Sequence, residues 1–316
     1  MAYLNFIKKV AFELKSENLK GANYILMKAL SSLRDSLHNF RDDSLIQDVE
    51  TCCNLIFQAQ PTMALLANSM ALLLDKMKHF QKEYAEPQII KSHLIHYIDE
   101  FIESYRTNLT KIAKNASAII TDRASILTYS FSSTVFQTIK LQKKLEKDLE
   151  FFITESRPNN EGILGAQELS NLYPTTLFVD AGMGYILKEY SPDLILIGAD
   201  SFTPEELIHK IGTLALAIAA HEFDIPLYSL THSLKFYNGA QFGIPIPIED
   251  KPVSEITDLS KENLQIKNYY FDRTPMKYIK GIITEDGILT ASTDISRISQ
   301  KFPLSILEKL YRSING

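Results

Sequence analysis

Residues 194–200 read Leu-Ile-Leu-Ile-Gly-Ala-Asp, four consecutive apolar residues that end on a glycine and then a carboxylate. A run this short and this uniformly apolar predicts a strand buried on both faces, the pattern of a parallel sheet covered by helices. Working outward, similar runs rich in β-branched and aromatic residues stand at 125–129, 150–154, 176–179 and 226–230. Helical patterns at 134–147, 163–172, 184–189 and 205–223 separate them. Apolar strands alternating with helices predict an α/β fold, a Rossmann-like doubly wound parallel sheet. Two more strands are predicted at 268–271 and 281–284, then a closing helix at 304–313. The stretch 242–255, with Pro245, Pro247 and Pro252, reads as a loop.

Ahead of residue 120 the texture differs. Gly21 is the only glycine there, and Pro61 and Pro87 are the only prolines. Stretches 6–39, 44–58, 61–84 and 89–118 are rich in Leu, Ala, Lys, Glu, Gln and Ile, so they predict amphipathic helices. The expected organisation is an N-terminal helical domain, 1–120, followed by a Rossmann-like α/β domain, 121–316.

The whole chain has 316 residues, 33 Lys+Arg against 38 Asp+Glu and a formal net charge of −5, so no basic surface recommends direct nucleic-acid binding. Hydrophobic residues at 45% and charged residues at 22% exclude a disordered chain. The two cysteines, Cys52 and Cys53, are neighbours, which excludes a disulfide scaffold and fits a reducing compartment. They read as buried apolar positions. The opening MAYLNFIKKVAFELKS predicts no secretory leader, and the apolar runs near 194–199 and 214–220 are too short to span a bilayer. A cytoplasmic protein without a membrane partner is expected. No GxGxxG, Walker A, HExxH, CxxC or GxSxG pattern occurs, and neither metal nor cofactor is predicted. His93 and His96, near Asp99 on a helix, read as a solvated polar face because no third ligand is spaced to join them.

Several short segments at strand ends carry more. Glu155-Ser156-Arg157-Pro158 and Glu161-Gly162 follow one strand, and Gly198-Ala199-Asp200 follows another. Lys210-Ile211-Gly212-Thr213, Phe271-Asp272-Arg273-Thr274-Pro275 and Ile283-Thr284-Glu285-Asp286-Gly287 complete the series. Their order and placement resemble the alpha/beta/delta family of translation initiation factor 2B. That family includes the isomerases of ribose 1,5-bisphosphate and 5-methylthioribose 1-phosphate. The likeness is clearest over about 120–290. It extends into the helical part, where Lys20-Gly21-Ala22 resembles the Arg-Gly-Ala of the isomerases, and Pro61-Thr62 with Asn68 resembles another segment.

The residues themselves suit a small anionic ligand. Ligands of open parallel α/β sheets lie beyond the carboxyl ends of the strands, and Ser130, Arg157 and Asp200 all follow predicted strands. Arg157 offers a planar fork that matches phosphate oxygens, while Lys20 and Lys210 add point charge. The competing reading of Arg157 is a salt bridge to Glu161 or Asp180. Lys210-Ile211-Gly212 precedes an apolar helical run, whose first N–H groups suit an anion. Thr203-Pro204-Glu205-Glu206 is itself a helix start, and a helix unbroken through Gly212 would remove that second anion site.

The resemblance also bears on catalysis. The isomerases interconvert an aldose 1-phosphate and a ketose phosphate with a cysteine and an aspartate. The aspartate matches Asp200. The cysteine stands in a Thr-His-Cys-Asn segment, where this chain has Thr128-Tyr129-Ser130-Phe131. A serine hydroxyl is a far poorer acid than a thiol. The Tyr-Ser-x-Ser pattern resembles the initiation-factor branch more than the isomerases, and Lys20 in place of arginine and His209 in place of asparagine weaken two further isomerase features. The resemblance therefore implies a regulatory protein of translation initiation with a retained phosphate-ligand site at Lys20, Gly21, Arg157 and Lys210. The alternative is an aldose–ketose isomerase using Ser130 and Asp200. Implied partners are a second copy or related family subunits, initiation factor 2, and a phosphorylated sugar or nucleotide. The aromatic-rich stretch 268–283 is a candidate dimer interface and equally a candidate internal core.

Overall fold

The computed structural model describes residues 2–16 and 21–313. They divide into two compact units, one bounded by Met1–Asn108, Leu234–Ile246 and Arg297–Gly316, the other by Leu109–Ser233 and Pro247–Ser296. The chain thus enters the first unit three times.

In the first unit the helical stretches become α1 (Ala2–Ser16), α2 (Ala22–Leu37), α3 (Leu45–Ala59), α4 (Ala64–Glu83) and α5 (Pro87–Ser117), which runs on into the second. Val49, Cys52, Cys53, Ile56 and Phe57 recur at helical spacing on α3 and are buried. Burial pushes the Cys52 thiol up to about 12 and Cys53 well up too, so both fill the core as apolar side chains. Asn68, fully buried on α4, donates through Nδ2 to the carbonyls of Leu234 and Phe236, both at 2.8 Å. That pair of bonds satisfies two backbone acceptors and fixes the returning segment 234–246. The closing helix Leu304–Arg312 seats Tyr311 against Phe57 and Tyr237, at ring separations of 5.6 and 5.2 Å. His93 stacks on Tyr84 at 4.6 Å, His96 pairs with Glu100, and Asp99 pairs with Arg34. Among the described residues no helix is long and apolar enough to cross a membrane.

The second unit is built on a seven-stranded sheet. Its parallel strands are β1 (Ser125–Tyr129), β2 (Glu150–Thr154), β3 (Thr175–Phe178), β4 (Leu194–Ile197), β7 (Leu227–Leu230) and β9 (Gly281–Thr284), with β10 (Gly287–Leu289) antiparallel at one edge. The spatial order is β10-β9-β7-β4-β1-β2-β3. Taken in chain order, its six parallel strands follow the doubly wound 3-2-1-4-5-6 pattern, whose order reverses between β1 and β4. All four residues of β4 are buried, as strands covered on both faces require. Helices α6 (Ser133–Lys144), α7 (Glu161–Ser170), α8 (Met183–Glu189) and α9 (Thr213–Glu222) connect the strands. The unit therefore has the mixed α/β architecture expected, preceded by a helical region.

The strand expected at 268–271 lies instead at Phe271–Pro275, and the stretch 205–223 is not a single helix. Residues 201–210 form a hairpin of β5 (Ser201–Phe202) and β6 (Glu206–Lys210), and α9 begins only at Thr213. β6 pairs along its length with β8 (Phe271–Pro275), Glu206 opposite Pro275 and Lys210 opposite Phe271. The Thr203 hydroxyl accepts from the N–H groups of Glu205 and Glu206 at 3.1 and 3.2 Å, so it closes a turn instead of starting a helix. Nonlocal pairing outweighed local helix propensity here. At Gly212 φ is +103°, and an added Cβ would lie 2.6 Å from the Tyr129 hydroxyl. Only glycine can break the strand and start α9 at that point.

Candidate functional site at the carboxyl ends of the strands

The strand-order reversal sets the site. Tyr129 is in register with Ile197, so Ser130 and Gly198 leave the sheet side by side at the β1/β4 crevice. Asp200 follows two residues on, half-buried, its N–H donating to the Ile208 carbonyl at 2.9 Å. The hairpin that begins there carries the chain out and back, ending β6 on Lys210.

Four side chains meet at this mouth. Ser130 is buried with φ +69°; its N–H donates to Ser156 Oγ at 2.9 Å and its hydroxyl to Glu161 Oε1 at 2.6 Å. The other carboxylate oxygen of Glu161 forms a salt bridge with Lys210 Nζ at 2.9 Å. The Lys210 side chain is only 5% exposed, with its ammonium 5.0 Å from the Tyr270 ring centroid and 6.0 Å from that of Phe271. A serine–glutamate–lysine chain thus closes over the ends of β1 and β6.

Arg157 stands beside it with an exposed side chain. Neither expected salt bridge forms: Glu161 is taken by Lys210, and Asp180 accepts from backbone instead. Asp180 Oδ1 accepts from Thr154 Oγ1 at 2.6 Å and Ser156 N–H at 2.8 Å, and Oδ2 accepts from Arg157 N–H at 2.7 Å. The carboxylate therefore shapes the loop that carries Arg157 and leaves the guanidinium outside that network.

The helix start expected to receive an anion is occupied from within. Asp272 Oδ2 accepts from the N–H groups of Gly212 at 2.8 Å and Leu214 at 3.1 Å, capping α9. His209 is buried with Nδ1 3.0 Å from Thr213 Oγ1. Burial, with Asp180, Asp272 and Glu161 nearby, pushes the Tyr129 hydroxyl well up, and it donates to the Ile211 carbonyl. Of the remaining expected residues, Lys20 lies outside the described residues, and Gly21 opens α2 in the first unit, its carbonyl accepting from Tyr24 N–H at 3.0 Å. In the aromatic stretch, Tyr270 is buried and donates to Glu255, so that ring serves the interior.

A family model described as the initiation factor 2 subunit family matches residues 18–291. The chain belongs to that family. It is 30% identical over 296 residues to the ribose 1,5-bisphosphate isomerase of Methanocaldococcus jannaschii, covering 92% of this chain and 93% of that one. The crystal structure of the Pyrococcus horikoshii translation initiation factor eIF-2B superposes with a TM-score of 0.73 at 28% identity, covering 92% and 98% of the two chains. A subunit of the tetrameric eIF2B-beta2-delta2 complex from C. thermophilum shares the fold at a TM-score of 0.72 and 18% identity, over 93% of each chain. Within the family this chain is thus similar both to proteins named as isomerases and to proteins named as initiation factors.

Three residues of the mouth carry roles that the sequence alone did not assign. Glu161 was visible only as a partner for Arg157. Asp180 stands two residues past the carboxyl end of β3, which is the signal that marks it. Asp272 was quoted without a role, and burial raises its carboxyl above the ordinary 3.8, offset by the N–H groups of Leu214 and Gly212. A carboxyl raised in the folded state binds its proton more tightly there than in the unfolded chain. Its contribution to stability therefore falls as pH rises from the ordinary carboxylate value through the folded one. Asp272→Asn keeps an acceptor for both N–H groups and removes the titration. Its stability relative to the parent should rise from acid pH to neutrality in denaturant unfolding. A difference independent of pH would refute this account, and Asp272→Ala, which loses the cap, should be weaker throughout.

Proposed function

We propose that this protein is a regulatory member of the family, resembling an initiation factor 2B alpha-type subunit, that binds a phosphorylated sugar or nucleotide without converting it. The observation that carries the reading is the commitment of Ser130. Its hydroxyl stands where the isomerases have a cysteine, and it donates to a carboxylate already held by Lys210. Carboxylates are far too weak as bases to ionise an alcohol, so this bond leaves the Ser130 hydroxyl un-ionised. The proposed ligand-binding residues are Arg157 and Lys210 in the second unit and, on the resemblance alone, Lys20 and Gly21. The Rossmann-like unit would pair with a second copy or a related subunit in the cytoplasm, in contact with initiation factor 2.

The second reading is an aldose–ketose isomerase acting through Ser130 and Asp200. It is favoured by Asp200 after β4 and by the 30% identity to a ribose 1,5-bisphosphate isomerase. Phosphorus NMR of ribose 1,5-bisphosphate with near-stoichiometric protein separates the two. The regulatory reading expects unchanged substrate whose resonances broaden, with the broadening lost in Arg157→Ala. Conversion to ribulose 1,5-bisphosphate, abolished by Asp200→Ala, would establish the isomerase instead.

A further inference from the structure

We infer that Glu161 is the specificity-determining residue of the mouth: by holding Lys210 it turns the site against bare phosphate and toward a phosphate ester that brings hydroxyl groups of its own. This rests on the reading of the mouth as a ligand site. Lys210 is buried, and the rings of Tyr270 and Phe271 meet its charge only through their faces, whereas Glu161 meets it as a full counter-ion at 2.9 Å. A phosphate approaching that ammonium therefore approaches a carboxylate as well, and like charges this close in a partly dry site repel strongly. Bare phosphate has little to offer the carboxylate in return.

A phosphorylated polyol does. Each carboxylate oxygen has room for more than one donor, and the structure gives Glu161 one hydrogen bond, from Ser130 on Oε1, and an ion pair with Lys210 at Oε2. The side chain of Glu161 is 23% exposed, so a ligand hydroxyl can reach it. The neighbouring carboxylates are engaged differently: Asp180 holds Thr154, Ser156 and Arg157, and Asp272 holds Gly212 and Leu214 through Oδ2 while its Oδ1 is buried. Glu161 alone of these three pairs with a cation that a ligand phosphate would seek. A ligand with adjacent hydroxyl and phosphate groups can bind the carboxylate and the ammonium together without breaking their pair.

The test compares inorganic phosphate with ribose 5-phosphate by calorimetric titration of the parent protein, Glu161→Gln and the double variant E161Q/K210M. The parent should favour ribose 5-phosphate. Glu161→Gln should bind inorganic phosphate about tenfold more tightly than the parent and narrow the preference, because the repelling charge is gone. The double variant should lose that gain. Equal phosphate affinity in parent and Glu161→Gln, or a gain that survives in the double variant, overturns the inference. Removing the partner of a buried ammonium destabilises the fold; if Glu161→Gln is unfolded, inorganic phosphate should refold it, and failure of that rescue overturns the inference equally. A parent that binds neither compound removes the ligand-site reading and this inference with it. A parent that binds ribose 5-phosphate with the preference unchanged in Glu161→Gln removes only the inference.

Discussion

Gly162→Ala should cost the second unit roughly 3 kcal/mol or more, lowering its thermal midpoint by about 6–12 °C. Helix propensity points the other way, since alanine is favoured over glycine inside a helix by about 0.8–1 kcal/mol, and Gly162 lies in the first turn of α7. The contact decides the sign. A Cβ on Gly162 would sit 1.8 Å from the Thr154 carbonyl oxygen, with the Ser156 hydroxyl and the Glu155 carbonyl carbon within 2.9 Å. Those are mainly backbone atoms at the end of β2, which is held in register with β1 by the pairing of Thr128 with Ile153. They cannot retreat without opening the sheet. Gly165 provides the control, because a Cβ there meets side-chain tips and no main chain, Ile153 Cδ1 at 2.7 Å and Phe136 Cζ at 3.1 Å. Gly165→Ala should stay within about 1 kcal/mol of the parent. Melting curves followed by circular dichroism give both values, and a Gly162→Ala variant as stable as Gly165→Ala would show that α7 does not press on β2 as described. The same close approach lets Glu161, one residue earlier, reach both Ser130 and Lys210.

The sheet was legible because its evidence is local. Four apolar residues closing on glycine at 194–198 can be little other than a covered strand, and the alternation around them gives the layout. The hairpin at 201–210 was not legible for the opposite reason. Thr203-Pro204-Glu205-Glu206 carries every local mark of a helix start, whereas the interaction that wins is with β8, where His209 pairs with Asp272 across more than sixty residues. Local propensity cannot register a partner that far along the chain. The site divides in the same way. Ser130, Arg157 and Asp200 were expected just past strand ends, and they do follow β1, β2 and β4. The pairing of Lys210 with Glu161 was hidden, because it depends on how far β6 carries the lysine back and how closely α7 packs on β2. Asp180 was read only as a salt-bridge partner for Arg157, since what it binds is mostly main chain, for which sequence has no letter.

Asp180→Ala should show how much that main-chain network contributes. It removes the acceptor for Thr154 Oγ1, Ser156 N–H and Arg157 N–H together. Thr154 and Ser156 are fully buried, so water cannot simply replace the lost oxygen. Each of the Thr154 and Ser156 donors costs about 1–3 kcal/mol when orphaned, while water can reach the exposed Arg157 N–H, so a total of roughly 2–5 kcal/mol is expected. Asp180→Asn retains one amide oxygen and should lose about half as much. The effect on the site follows from the same bonds. Ser156 Oγ accepts the Ser130 N–H, and Arg157 N–H is tied directly to Asp180, so loosening the carboxylate releases both residues from the mouth. Ribose 5-phosphate affinity in Asp180→Asn should therefore fall about tenfold, the order expected for losing a preorganised charge-assisted contact. Because Asp180 acts as a positioning residue through Arg157, the double variant D180N/R157A should bind no more weakly than Arg157→Ala alone. Losses that simply add in the double variant would mean Asp180 supports the ligand by another route. Full affinity in Asp180→Asn would mean that Arg157 finds its place without it.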